Sequence, residues 1–340
     1  MHAFLPAEGC AEFLADELKR SGAQVQPQGH HDFVVADALP QPPLLAFARQ
    51  TLPDAREVLG ASINGWADAI IETMLTTLGD DDPWQLHLWP QYGEGRAGHH
   101  RCELIHTAFT ERLKKRRRVR LKHEQAQLTV STALVQAALT APDAGFVSVT
   151  TAARRHELRA IVSDFIAGEI PHAEDKAAPS RAFAKVIEAE LRLGQKIERG
   201  QTCVDLGAAP GSWTYVAIQR GASAIAVDRS ELREDLMRSP RLHFHQGDAF
   251  KFKPEQTVDW LICDIIAAPQ RSIDLLLEWL REQRMRHFIV TIKFKGTDEY
   301  HLLDQLKHEA PPLCSDFRLT RLCSNKNEVT AFGSLSSKPS

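Results

Sequence analysis

The chain has 340 residues, 43% of them hydrophobic and 25% charged, with 41 lysines and arginines against 44 acids. That composition excludes a largely disordered chain and leaves room for two domains, while a net charge of -3 excludes any global attraction to polyanions. No apolar stretch reaches the about 18 residues of a membrane span. The acidic N-terminus lacks the pattern of a secretion signal, and the six cysteines are scattered without zinc spacing, so a soluble, cytoplasmic protein without a metal is expected.

In chain order, residues 8–20 carry the period of an amphipathic helix. DFVVADAL (32–39) reads as a strand, LLAFARQ (44–50) as a further apolar segment, and WADAIIETMLTTL (66–78) as a helix with Trp66, Ile70, Ile71 and Leu75 on its inner face. WQLHLWPQ (84–91) alternates apolar and polar residues, the pattern of a half-buried strand. A basic run follows: Arg112, Lys114, Lys115, Arg116, Arg117, Arg118, Arg120 and Lys122, with no acid among them at helical spacing. It is either a solvated helical face or a surface whose self-repulsion is relieved by a phosphate backbone, RNA or DNA. Phosphate contacts would position such a partner without reading its bases.

IPHAEDKAAPS (170–180), with two prolines, small residues and charges, is the best boundary, dividing the chain into 1–170 and 171–340. Beyond it the rhythm changes. TCVDLG, SAIAVD, LHFHQGD, VDWLICD and FIVTIKF are short apolar runs separated by helical stretches. One of these stretches, RSIDLLLEWLREQ, puts Ile273, Leu276, Leu277 and Leu280 on one face. Strand, crossover helix and parallel strand in alternation predict a doubly wound, mostly parallel Rossmann-like α/β sheet.

The turn after the first of these strands, VDLGAAPGSW (204–213), is glycine-rich but is not the G-x-G-x-x-G of dinucleotide enzymes, because the glycine that admits a pyrophosphate is missing. An acid closing the strand before such a turn suits S-adenosylmethionine instead. Asp205 would face its amino-acid end, Gly207 and Gly211 would let the backbone approach it, and Ala208, Pro210 and Trp213 complete the turn. Asp228, 21 residues after Gly207, stands where an acid accepts from ribose hydroxyls. Asp248 follows the third strand, within reach of an adenine amino group.

The same stretch resembles motif I of the FtsJ-like ribose 2'-O-methyltransferases, and other parts of that family's pattern recur in order. APSRAFAKVIEAE supplies Lys185, LICDI supplies Asp264, TIKF supplies Lys293 and NKNEVTAF supplies Glu328. The resemblance implies that these four are the family's catalytic tetrad, with Asp264 also beside the cofactor. Lys293 would then assist deprotonation of the ribose hydroxyl and the other three would hold it.

LPAEGCAEFLADELKRSGA and LLAFARQ resemble the leading region of bacterial large-subunit rRNA ribose methyltransferases that carry a THUMP RNA-binding domain. Departures fall at Ala209, Ser212, Ala267 and Ala268 and across residues 85–170. The resemblance implies an N-terminal α+β THUMP-like RNA-binding region followed by an S-adenosylmethionine-dependent domain. The substrate would be 23S rRNA or a ribosome-assembly intermediate, with a cytidine ribose as target and no obligate protein partner. Two alternatives stay open: methylation of another RNA or of an RNA base, and an inactive RNA-binding homologue. The base reading lacks the Asn/Asp-Pro-Pro-aromatic motif usual after the fourth strand.

Overall fold

A computed structural model of the chain describes residues 1–27, 32–93, 96–171 and 174–336. They fall into two compact units, Met1–Glu169 and Ile170–Ser340. His172 and Ala173, inside the expected boundary segment, lie outside the described residues.

The first unit opens with β1 (His2–Pro6) and α1 (Ala11–Arg20), followed by β2 (Val34–Ala36) and β3 (Ala48–Leu52). β1 is the central strand of an antiparallel sheet of order β2-β1-β3. The apolar segment expected at 44–50 becomes a strand only from Ala48. Before that, the amides of Ala46 and Phe47 are taken by the buried carboxylate of Glu17 at 2.8 and 3.2 Å, so they are not available to a sheet ladder.

Next come β4 (Arg56–Val58), α2 (Ile63–Thr77), β5 (Trp84–Pro90), α3 (Ala97–Arg117), β6 (Ala133–Ala141), β7 (Ala144–Thr150) and α4 (Ala152–Glu157). The strands form a second sheet of order β4-β7-β6-β5. α2 starts where Ser62 Oγ accepts from Gly65 N at 3.1 Å. Its inner residues Trp66, Ile70 and Ile71 pack with Ile105 and Phe109 of α3 on Val135, Ala137 and Val147 of the sheet. The other sheet face meets the first sheet through Trp89, Ala138 and Phe146 against Leu5, Phe33 and Leu52.

Covering both faces changes the reading of β5. Alternation alone puts its polar residues in solvent, but His87 is 3% exposed, and burial pushes its imidazole down to about 4. The β6–β7 hairpin is not foreseen from sequence, because its alanine-rich first strand carries no strand-like alternation.

The second unit runs α5 (Phe183–Leu193), β8 (Thr202–Leu206), α6 (Ser212–Gln219), β9 (Ser223–Asp228), α7 (Glu234–Met237), β10 (Leu242–Gln246), β11 (Val258–Cys263), α8 (Pro269–Arg281), β12 (Met285–Lys293), α9 (Leu303–Glu309), β13 (Cys314–Thr320) and β14 (Glu328–Leu335). Its seven-stranded sheet has the order β10-β9-β8-β11-β12-β14-β13. The first five strands are mutually parallel, and β14 is antiparallel to both its neighbours.

Ile273, Leu276, Leu277 and Leu280 of α8 are each 0–1% exposed. Burying a side chain of this size stabilises by about 1.5–3 kcal/mol. The strand order reverses between β8 and β11, and in an open α/β sheet the crevice at the carboxyl ends of such strands is where ligands bind. No helix among the described residues is long and apolar enough to cross a membrane.

Candidate functional site

At that reversal the chain leaves β8 through Gly207 (φ +74°) and enters α6 through Gly211 (φ +107°). A Cβ on Gly207 would stand 2.3 Å from Ile265 Cγ1, and one on Gly211 would stand 2.4 Å from Leu236 Cδ1. Both glycines therefore answer to positive φ and to the protein's own packing. Gly207 also lines the cleft that opens beside the turn.

Asp205, 1% exposed, accepts through Oδ2 from the Thr214 amide at 2.9 Å and from the Thr214 hydroxyl at 2.6 Å. Desolvation outweighs these bonds and pushes its carboxyl up to about 7.

A cleft of about 530 Å³ opens beside this turn. Asp205, Gly207, Ala208, Pro210, Trp213, Asp228, Asp248 and Asp264 all line it. Asp228 accepts from the amides of Ala209 at 3.0 Å and Ser230 at 2.9 Å, and Asp248 from that of Phe250 at 3.0 Å. Each carboxylate is thus fixed in place and keeps acceptor capacity, since an ionised carboxylate offers about four lone-pair sites.

Trp213 is 2% exposed and donates to the Ala182 carbonyl at 2.9 Å, so it anchors one wall more than it presents a face. That wall also includes Ser180, whose hydroxyl lies 2.7 Å from that of Ser212. The motif reading passed over Ser180 as part of the segment that supplies Lys185. It equally left out Ile266 and Arg271, although both line the cleft.

Lys185, Asp264, Lys293 and Glu328, scattered through the sequence, meet at the carboxyl edge of the sheet. Lys185 Nζ lies 3.1 Å from both oxygens of Asp264 and 2.6 Å from Glu328 Oε1. Lys293 Nζ lies 3.0 Å from Asp264 Oδ1 and 3.9 Å from Glu328 Oε2. Pairing of β12 with β14 sets Lys293 directly across from Glu328.

Two cations and two carboxylates balance in charge, but they are not equally placed. Asp264 and Lys293 face the cleft, while the side chains of Lys185 and Glu328 are 7% and 9% exposed and stand behind them. A residue that sequence reasoning missed completes the cluster. Asn325, 8% exposed, donates to Glu328 Oε1 at 3.2 Å and accepts from the Leu322 amide at 2.7 Å.

In the first unit the basic run is divided. Arg112 to Arg117 end α3, and a 3-10 turn carries Arg118 to His123. Acids do balance part of it, and they come from other elements. Arg112 donates to Asp68 of α2 at 2.8 Å, Arg116 lies 2.9 Å from the same carboxylate, and Arg117 lies 3.6 Å from Asp80.

Arg120 cannot be a surface contact. It is 1% exposed, and its guanidinium donates to the Leu78 carbonyl and lies 3.5 Å from Asp80. Lys114, Lys115, Arg118 and Lys122 are exposed, with no ion pair among the described residues. No group of three or more histidine, cysteine, aspartate or glutamate residues that could hold a metal occurs among the described residues.

Residues 178–298 match the FtsJ-like methyltransferase family. A ribosomal RNA large subunit methyltransferase M from Halorhodospira halophila is 33% identical over 261 residues, covering 75% of this chain and 70% of the relative. The chain belongs to that family.

Another member of the methyltransferase M family, from Thauera aminoaromatica, is 35% identical over 166 residues, 46% of each chain. The chain thus matches less than half the length of that relative. Among solved structures, TrmN from Thermus thermophilus gives a TM-score of 0.35 at 14% identity, covering 98% of this chain and 99% of that one. An FtsJ-like methyltransferase takes its methyl group from S-adenosylmethionine. The cleft fits this cofactor: it has the volume of a small-molecule site, and four carboxylates line it, suited to an ammonium, ribose hydroxyls and an adenine amine.

Proposed function

We propose that the protein transfers the methyl group of S-adenosylmethionine to the ribose 2'-hydroxyl of a cytidine in large-subunit 23S rRNA. The observation that carries this is the convergence of Lys185, Asp264, Lys293 and Glu328 beside the cofactor cleft. A ribose hydroxyl is a weak nucleophile, whereas a sulfonium methyl is already activated. The protein's task is therefore to align the two within about 3–3.5 Å and to take up one proton. Lys293, the lysine that lines the cleft, meets the hydroxyl. Asp264 orients it, and Lys185 with Glu328 fixes Asp264 from behind. Asp205, Asp228 and Asp248 hold the cofactor.

Residues 1–170 serve as a THUMP-like RNA-binding region, and 171–340 as the catalytic domain. Lys114, Lys115, Arg118 and Lys122 provide the phosphate contacts of the first, with Arg116 and Arg117 at their margin. The substrate is rRNA or a ribosome-assembly intermediate in the cytoplasm. Ribose-methylation mapping of 23S rRNA with and without the gene tests the reading. One 2'-O-methylcytidine should vanish without the gene, return with the wild-type chain and stay absent with Lys293→Ala. An unchanged map refutes it.

A further inference from the structure

Immediately beyond the four-residue cluster, the carboxyl edge of the sheet carries three exposed side chains outside the cluster: Ile266 at the rim of the cofactor cleft, and Lys295 and Lys326, which do not line it. Ile266 is 89% exposed, more than any other large hydrophobic residue among those described. It stands two residues after Asp264, while its neighbour Ile265 turns inward against Gly207. On the other side of Lys293 are Lys295 and Lys326, both exposed and without an ion pair or side-chain hydrogen bond among the described residues.

Their placement follows from the ladder. Lys293 pairs with Glu328, and the Phe294 amide then donates to the Asn327 carbonyl at 3.0 Å, so Lys295 and Lys326 follow as opposed residues on the two departing chains. The segments beneath them are firmly held. Asn327 Nδ2 donates to the Phe294 carbonyl at 3.0 Å, the Tyr300 hydroxyl donates to Asn327 Oδ1 at 2.5 Å, and the Phe294 and Tyr300 rings meet edge to face at 4.9 Å.

Two exposed lysines on neighbouring chains that leave the sheet together, with no ion pair among the described residues, form a local excess of positive charge that an anion relieves. Ile266, in turn, lines the same cleft as Asp264 and Lys293 and offers an apolar side chain on which a base can rest. We propose that this edge seats one nucleotide of single-stranded RNA. Its backbone phosphates lie on Lys295 and Lys326, its base lies against Ile266, and the ribose is thereby left over Lys293. The assignment rests on the ribose-methylation reading above and adds to it that the second unit itself grips the acceptor strand, independently of the basic residues in the first unit.

The test is fluorescence anisotropy of a short single-stranded oligoribonucleotide bound to the full chain across a range of salt. Lost phosphate contacts flatten the dependence of log affinity on log salt by about 0.7 each for a single strand. The double variant Lys295→Gln/Lys326→Gln should therefore flatten it by about 1.4 and bind about tenfold more weakly at low salt. Lys295→Arg/Lys326→Arg should restore the wild-type slope, and the uncharged Ile266→Ser should weaken binding without changing the slope. Thermal unfolding followed by circular dichroism, alike in all four proteins, establishes that each is folded.

An unchanged slope in the glutamine double variant overturns the proposal, as does a wild-type chain that fails to bind the oligonucleotide. Because anisotropy needs no turnover, a wild-type chain that binds through these lysines but methylates no ribose would leave this assignment standing and refute the activity.

Discussion

Lys185 Nζ and Glu328 Oε1 lie 2.6 Å apart with both side chains more than nine-tenths buried, on α5 and at the start of β14. A buried ion pair is a poor source of net stability, since desolvation offsets the attraction, but removing one partner strands the other and costs about 3–5 kcal/mol. Lys185→Met should therefore lower the stability of the second unit by about that amount. Lys293→Ala, at a side chain 23% exposed, should leave the melting temperature near wild type and reduce methyl transfer by roughly 100-fold or more. Denaturant titration and a single-turnover methylation assay separate the two. Equal destabilisation by both variants would contradict the division between a lysine at the cleft and a lysine behind it.

Arg120 and its neighbours should part company in the same way. With its guanidinium buried against Leu78 and Asp80, Arg120→Ala should cost about 2 kcal/mol or more of stability. Replacing Lys114, Lys115, Arg118 and Lys122 by serine should leave thermal unfolding nearly unchanged while weakening RNA binding and flattening its salt dependence. The readouts are calorimetric unfolding and filter binding at several salt concentrations. An unaltered salt slope would return the exposed lysines to a merely solvated face.

Asp205 gives a pH dependence of defined sign. Burial raises its carboxyl from the ordinary value to about 7 in the folded protein. Between about pH 4 and 7 the folded state therefore holds a proton that the unfolded state has released, and this group's contribution to stability falls as pH rises through that window. In Asp205→Asn, which keeps an acceptor for Thr214, the fall should vanish, so the variant gains on wild type between pH 5 and 7.5 in thermal melts. A cofactor ammonium would favour the ionised form. Wild-type affinity for S-adenosylmethionine should accordingly tighten from pH 6 to 8, and that of the variant should not.

His87 has the opposite sign. Its imidazole is pushed down to about 4, so the unfolded state takes up a proton first as pH falls from about 6.5, and stability drops from there towards pH 4. His87→Gln should lose that component, as seen in urea midpoints at pH 4.5 and 7.

Gly207→Ala should be damaging beyond its size, because the new methyl group meets Ile265 at a positive φ. Strained backbone of this kind costs about 1–3 kcal/mol. Ile265 follows Asp264, so cofactor affinity and turnover should fall together. A variant as stable and active as wild type would show that the turn relaxes freely.

What the sequence determines is local and periodic. Apolar β-branched runs that end in Asp205, Asp228 and Asp264 read as buried parallel strands because helices cover both faces of such a sheet and leave it no polar side. Asp228 and Asp264 then mark the strand ends, while Asp205, 1% exposed, lies one residue inside the end of β8. The basic residues, the glycine turn and the four members of the cluster were all visible as residue types in order. Their partners were not, because charge pairing and steric exclusion act through space between elements far apart in the chain.

Only the tertiary structure brings Asp68 of α2 against Arg112 and Arg116, buries Arg120, and puts Ile265 where a Gly207 side chain would go. Only the insertion of β14 beside β12 sets Glu328 across from Lys293 and brings Asn325 and Lys326 to the same edge. Strand neighbours are chosen by how the whole sheet buries its faces, and no local pattern encodes that choice.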